Sequence, residues 1–298
     1  MTLLLALLLD AVLGEPKQIW SRIPHPAVLM GRLIGWCDTT FNTGHNRRVK
    51  GVVVVIGLSA LMLSLGAGAS AYLGMWIEVV LGAILLAHKS LVEHVKAVAD
   101  ALRMSLGDGR RAVAKIVGRD TKSMTQAQVS RSAIESGAEN FSDGVTAPAF
   151  WFAVLGLKGI LLYKIINTAD SMIGYKTEQH QDFGWAAARF DDLLNWVPAR
   201  LTAVIIWGLS RSTSWPTIWS EAIKHRSPNA GWPEAAMAYA LDVSLSGPRS
   251  YDGQMTADPF VNAQGAHDLT PAHIDQSVTI LWKTWGVLLV LAGLWAVI

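Results

Sequence analysis

The sequence predicts an all-α fold, a polytopic helical membrane protein with about five transmembrane segments joined by polar helical loops. Three observations predict it. Hydrophobic residues fill 51% of the 298 positions and charged residues only 16%, against about 25% charged in soluble domains, and the mean hydropathy is +0.32. Gly51 to Ile77 carries no charge; as one helix it would run roughly 40 Å, beyond a hydrocarbon core of about 30 Å. No stretch alternates at strand period and no internal repeat occurs, so apolar segments in lipid have to be helical.

The elements follow in order. MTLLLALLLDAVLGEP has no basic residue before its apolar run and is interrupted by Asp10, so it reads as a retained first membrane segment and not as a signal peptide. The charge-free stretch predicts a helical hairpin over 50–66 and 74–92, broken at the Gly-rich patch Gly66 to Gly74. Basic residues on both sides of the pair place its ends in the cytoplasm. Residues 93–131 predict a soluble helical stretch, with Val92, Val95, Ala99 and Leu102 on one apolar face. Val145 to Ile166 is apolar apart from Lys158 and Lys164: one span, or a short hairpin around Gly156–Gly159. Leu193 to Ser210 follows, with Pro198 kinking or starting its helix. Ser277 to Ile298 closes the chain, with Trp282, Trp285 and Trp295 as interface anchors. The whole of 1–298 is expected to form a single membrane-embedded domain, with a soluble helical segment near 93–144.

The net charge of +2 gives no footprint for nucleic acid. Cys37 is the single cysteine, which excludes an intrachain disulfide and a cysteine metal site. His88 and His94 are six apart on different helix faces, and no zinc spacing, Walker A pattern or GxGxxG occurs.

Four stretches carry chemistry. In KIINTADSMIGYKTEQHQDFGWAAARFDDLLNWVPAR, from Lys164 to Arg200, charges sit among Gly, Asn and aromatic residues beside hydrocarbon, where charge is expensive. This suits a charged, phosphate-bearing substrate better than a plain solvated loop. Arg189, Asp192 and Asn195 share a helix face there, arginine grips phosphate bidentately, and the adjacent pair Asp191 and Asp192 suits a metal bridging phosphates. In RSAIESGAENFSDGVTAP, Glu135 and Glu139 are four apart, followed by Asn140 and Asp143, an oxygen-rich set suited to Mg²⁺. The alternative is a solvated helix with a Ser-Asp-Gly turn. HRSPNAGWPEAAMA predicts a helix starting near Pro233, which offers amides to an anion or simply caps itself. In the opening stretch, Pro24, His25 and Pro26 fix an extended turn, with His25 able to donate to a ligand.

Taken together, LGEP, HPAVLMGRLI, ESGAENFSDGVTAPAF, NTADSMIGYKTEQHQDFGWAAARFDDLLNWVPARLTA, SPNAGWPEAAMAYAL and GPRSYDG resemble one family closely. They look like the CbiB/CobD proteins of cobalamin (vitamin B12) biosynthesis, the adenosylcobinamide-phosphate synthases. They run in order over nearly the whole chain, with Phe141 a mild departure where a smaller residue is expected. The resemblance implies a ligase forming a carbon–nitrogen bond in a bacterial cell inner membrane. It implies a corrinoid, adenosylcobyric acid, joined to (R)-1-amino-2-propanol or its O-phosphate, with ATP and Mg²⁺, and other cobalamin-assembly enzymes as partners beside the lipid bilayer. On that reading Glu139, Asp143, Asp170 and Asp192 bind metal or take the amine's proton. Glu135 and Asp191 complete the metal set, and Lys176, Arg189 and Arg200 hold phosphate. Asn140, Asn167, Asn195 and Asn229 orient corrin amides, Trp232 stacks on the macrocycle, and His25 contacts substrate. A non-enzymatic transporter or AmpE-like sensor is the competing class; dense polar clusters outside the spans and the lack of repeated broken helices argue against it.

Overall fold

The computed structural model describes residues 1–251 and 254–297. In chain order the helices are α1 (Thr2–Leu13), α2 (Lys17–Trp20), α3 (Pro26–Phe41), α4 (Arg47–Leu73), α5 (Met75–Leu85), α6 (His88–Met104), α7 (Leu106–Val113) and α8 (Gln126–Phe141). A five-residue π-helical segment, Ser142–Thr146, leads into α9 (Ala147–Leu155), α10 (Leu157–Ile173), α11 (Trp185–Leu194), α12 (Trp196–Ser210), α13 (Trp215–Ala222) and α14 (Gly231–Leu241). Four strands of two or three residues follow, β1 (Leu245–Ser246), β2 (Arg249–Tyr251), β3 (Gln254–Thr256) and β4 (Phe260–Val261), and α15 (Pro271–Trp295) closes the chain. The all-α expectation holds; the short antiparallel pairs β1–β4 and β2–β3 are the addition to it.

Among the described residues, three helical stretches are long and apolar enough to cross a membrane: Arg47–Leu73, Met75–Met104 and Pro271–Trp295. Trp185–Leu194 with Trp196–Ser210 makes a fourth if the two act as one broken span. The expected first segment, α1, has 12 residues, about 18 Å, too short to cross alone.

The chain divides into two compact units. The first comprises Met1–Lys89, Ala147–Trp196 and the residues from Leu291 on; the second comprises Ser90–Thr146 and Val197–Val290.

In the first unit, α4 runs straight through the Gly-rich patch and stops at Gly74, whose φ of +74° glycine adopts readily. The expected break at 66–74 therefore moves to its far end. The reason is packing: a Cβ on Gly66 would fall 2.4 Å from the Lys158 backbone of α10, so the small residue lets two backbones meet. Val145 to Ile166 is not one span. The chain turns at Gly156, and a Cβ on Gly159 would sit 2.2 Å from the Trp151 carbonyl oxygen. Eight residues of continuous helix would separate these positions by about 12 Å, so α9 folds back on α10 as the short hairpin. Asp10, which interrupts the first apolar run, is buried and its Oδ2 accepts the His88 amide at 3.0 Å, supplying a cap to α6.

The second unit holds one apolar core. Val92, Val95, Ala99 and Leu102 of α6 all point into it, as their spacing predicts, against Ala133 and Ile134 of α8, Trp232 and Ala236 of α14 and Leu281 of α15.

Candidate functional site

Within the second unit, α8 is the organising element. Thr125 and Gln128 form a reciprocal capping box that fixes where it starts. Glu135 and Glu139, one turn apart, then part company. Glu135 is buried and fully engaged: its Oε2 meets Arg119 at 2.8 Å and Arg249 at 3.4 Å, and its Oε1 accepts the Ser246 amide at 2.7 Å. Glu139 and Asn140 are exposed and line a cavity of about 270 Å³ with Arg119, Lys224, His225, Arg226, Arg249 and Asp258. The amide nitrogen of Asn140 donates to the Ser136 carbonyl at 2.9 Å, so its oxygen is the atom offered outward.

Behind the cavity wall a second carboxyl completes an ion network. Glu234 lies 3.4 Å from the same Arg249 nitrogen that meets Glu135, and 3.6 Å from His225 Nε2. Burial, and then the nearby Glu135 charge, push the Glu234 carboxyl up to about 8. His225 is held below its usual range by burial and by Arg249. Its Nδ1 accepts the Ser227 amide at 3.0 Å, which places the proton of the neutral ring on Nε2. Arg226 pairs with Asp258 at 2.8 Å. The cavity thus presents four fixed cations, with carboxylates among them.

The other positions expected at a site in this unit have different tasks. Trp232 is 2% exposed, stacked near Trp215 and edge-on to Trp219. Arg200 lies over the Trp232 ring at 4.5 Å and donates to Asn229 Oδ1 at 3.1 Å and to the Pro228 carbonyl. Arg200, Asn229 and Trp232 therefore form a packing knot that secures the start of α14 at Gly231, not Pro233. Asp143 is half-buried in the π-helical segment, a geometry common at functional sites.

Within the first unit, α10 and α11 are joined by a polar ladder. Tyr163 donates to Asn195 Oδ1 at 2.9 Å, Asn195 donates to Asp191 Oδ2 at 2.9 Å, and Asn167 donates to Asp191 Oδ1 at 3.2 Å. Asn195 is 1% exposed and spends both ends of its amide on this ladder, so it does not reach a substrate. Arg189 and Asp192, expected to share a helix face, pair at 3.0 Å, while the Asn195 amide is directed to Asp191. A Cβ on Gly174 would fall 2.0 Å from Asp170 Oδ1, so the glycine makes room for that carboxylate. Lys176 is exposed in the turn after α10. His25 caps α3, its Nδ1 accepting the Ala27 amide at 3.1 Å, with Trp20 edge-on to the ring; its first task is the cap.

No group of three or more His, Cys, Asp or Glu among the described residues is placed to hold a metal. Of the carboxylates expected to bind metal, two already have partners within their own units. Glu135 is taken by two arginines, and Asp191 by two amides. Mg²⁺ is commonly held by one or two carboxylates plus substrate phosphates, and that arrangement fits Glu139 beside a cation-rich wall.

Sequence reasoning missed Arg119, His225, Arg226, Glu234, Arg249 and Asp258. Arg249 stood inside the quoted GPRSYDG, whose Asp252 and Gly253 lie outside the described residues, and His225 and Glu234 flanked a stretch read as a cap. Arg119 and Asp258 carry no local signal.

A sequence model of the CobD/Cbib protein family matches residues 3–281. The chain is 45% identical to the cobalamin biosynthesis protein CobD of Sinorhizobium sp, over 98% of this chain and 95% of that protein. It is 44% identical to the CobD of Brucella suis biovar 1, over 95% and 93%, and 41% identical to that of Rhodobacter capsulatus, over 99% and 97%. No solved structure matches it. By the reach of the family match and by the identity and coverage of these relatives, the chain belongs to the CobD/Cbib family of cobalamin biosynthesis proteins.

Proposed function

We propose that this protein is the amide-forming synthase of the pathway. It would join the carboxyl of adenosylcobyric acid to (R)-1-amino-2-propanol or its O-phosphate, giving adenosylcobinamide or its phosphate, in a bacterial inner membrane. The observation that carries the reading is the second unit's cavity, where Arg119, Lys224, Arg226 and Arg249 face Glu139 and Asn140 across about 270 Å³. Carboxylate and amine do not condense unaided at neutral pH; ATP with Mg²⁺ would supply the activation by phosphorylating the carboxyl with release of ADP, so that the amine's attack would form the C–N bond and expel phosphate.

The chain's own residues do the rest. The arginines and Lys224 hold phosphoryl oxygens and stabilise the charge that gathers as the leaving group departs. Glu139 takes the proton that the attacking ammonium must lose, or carries the cation through one oxygen. Asn140 orients an amide with its carbonyl oxygen. The volume suits a small phosphorylated amine and not a corrin ring, so only the reacting side chain of the macrocycle enters. Asp143 in the second unit, and Asp170, Asp192, Lys176 and Arg189 in the first, are further positions for which the same cation and phosphate chemistry is proposed.

A strain lacking this protein should grow on cobinamide and fail on cobyric acid. Purified chain in micelles, given adenosylcobyric acid, aminopropanol phosphate, ATP and Mg²⁺, should form the amide. Growth of the deletion strain on cobyric acid would end the proposal.

A further inference from the structure

Beside the main cavity in the second unit lies a smaller one, of about 90 Å³. Arg119, Ser246 and Arg249 line both, so the two spaces share a wall made of two guanidinium groups and a serine. Arg131 adds a third guanidinium to the smaller space, with Ser123 and Gln128 as neutral donors; among the described residues Asp120 is the carboxylate in its lining. Glu135 lies behind Arg119 and Arg249, and Glu234 meets Arg249 from the same side, so among the described residues the three guanidinium groups face Asp120 directly and share the two glutamates behind the wall.

The donors are held in place. Arg119 and Arg249 are each 11% exposed, anchored by Glu135. Arg119 also donates to Ser132 Oγ at 3.2 Å, and Arg131 to the Ser244 and His267 carbonyls, contacts that fix its plane without cancelling its charge. The Asp120 oxygen accepts from Ser250 at 2.7 Å. Gln128 Oε1 accepts the Thr125 amide at 2.8 Å, which leaves the Gln128 NH₂ as the group that donates. With one water needing roughly 10–15 Å³ on this scale, the space takes a handful of waters or one tetrahedral oxyanion, and no nucleoside.

We propose that this smaller cavity is a second oxyanion site, taking one phosphoryl group on the far side of the guanidinium wall from the main cavity. Planar guanidinium groups present donors to more than one side, so one arginine pair serves two anions. The site stands on its own residues and does not require the synthase reading.

The test is calorimetric titration of the full chain in micelles, at low ionic strength, with inorganic phosphate. Two binding events are expected. Gln128→Glu keeps the capping box, since glutamate serves at that position, and adds a negative charge to the smaller cavity alone. It should weaken one event by about tenfold or more through like-charge repulsion and leave the other unchanged. Should Gln128→Glu unfold α8 by circular dichroism, Ser123→Asp makes the same test from a loop. Methyl phosphate separates the sources: two events with it as well point to the phosphoryl end of an ester, one event to free phosphate. A single event in the parent chain, abolished by Arg226→Gln in the main cavity, overturns the proposal, as do two events that neither acidic variant changes. Two events in a chain with no synthase activity would sink the functional reading and leave this one standing.

Discussion

Both units bury carboxylates, and they hold them in opposite ways. In the first, Asp191 is held by two neutral amides, Asn167 and Asn195, with Tyr163 behind. In the second, Glu135 is held by two arginines that also line a cavity. Neutral donors satisfy a carboxylate and stop there, so the ladder fastens α10 to α11. Charged donors satisfy it and retain positive charge on their other faces, so the network both fastens and binds. Burial of an acid is thus no sign of chemistry by itself; the nature of its partners is the better sign.

The strongest loss is expected from Glu139→Gln, at the cavity rim. We expect amide formation to fall by about 10²–10⁴-fold if Glu139 moves the proton, read as kcat in the purified reaction. Activity at the parent level would move catalysis out of this cavity.

The next effect is on pH. The Glu234 carboxyl, pushed up to about 8 in the folded chain, ionises near 4.5 when unfolded. Between those values the folded state keeps a proton that the unfolded state has released. Stability therefore falls as pH rises, by up to about 1.4 kcal/mol per unit. Glu234→Gln should flatten the dependence of unfolding on pH between 5 and 8; an unchanged slope would show that another group carries it.

Breaking the ladder costs less. Asn195→Ala removes the bonds to the Tyr163 hydroxyl and to Asp191 Oδ2, and should destabilise the chain by about 1–3 kcal/mol in thermal unfolding. Little or no loss would mean that water fills the gap. The smallest effect is at Arg189, whose pair with Asp192 is exposed. Arg189→Gln should cost about 0.2–1 kcal/mol, while a rise in KM for the phosphorylated substrate would bring the first unit into substrate binding after all.

Helix identity was legible wherever periodicity was strong. The α6 face showed in Val92, Val95, Ala99 and Leu102 because its period is local. The α9–α10 hairpin was half-legible: glycines marked a turn, but only the contact of Gly159 with the Trp151 carbonyl decides between turn and span. Gly66 misled, because a helix-breaking residue and a close-packing residue look alike until the neighbouring backbone is known. In the candidate site, Glu139 and Asn140 stood out through local spacing. Arg119, Glu234 and Arg249 did not, since the ion pairs that join them, Arg119 and Arg249 to Glu135 and Arg249 to Glu234, span 15 or more positions. Asn195 and Trp232 stand out as chemistry-bearing types, and their burial, Asn195 in the ladder and Trp232 against Trp215 and Trp219, has no local signature.

The Asp10 cap has a consequence for how the chain is made. Its partner, the His88 amide, lies 78 residues downstream. At about 5–20 residues per second, the ribosome exposes this acid several seconds before anything can bind it. For that interval the newborn N-terminal helix carries an ionisable group among leucines, and has to keep it hydrated or neutral until α6 arrives. A substitution at Asp10 would thus trade an easier start to insertion for a missing clasp at the end, two opposite effects that pulse-labelling of nascent chains would separate in time.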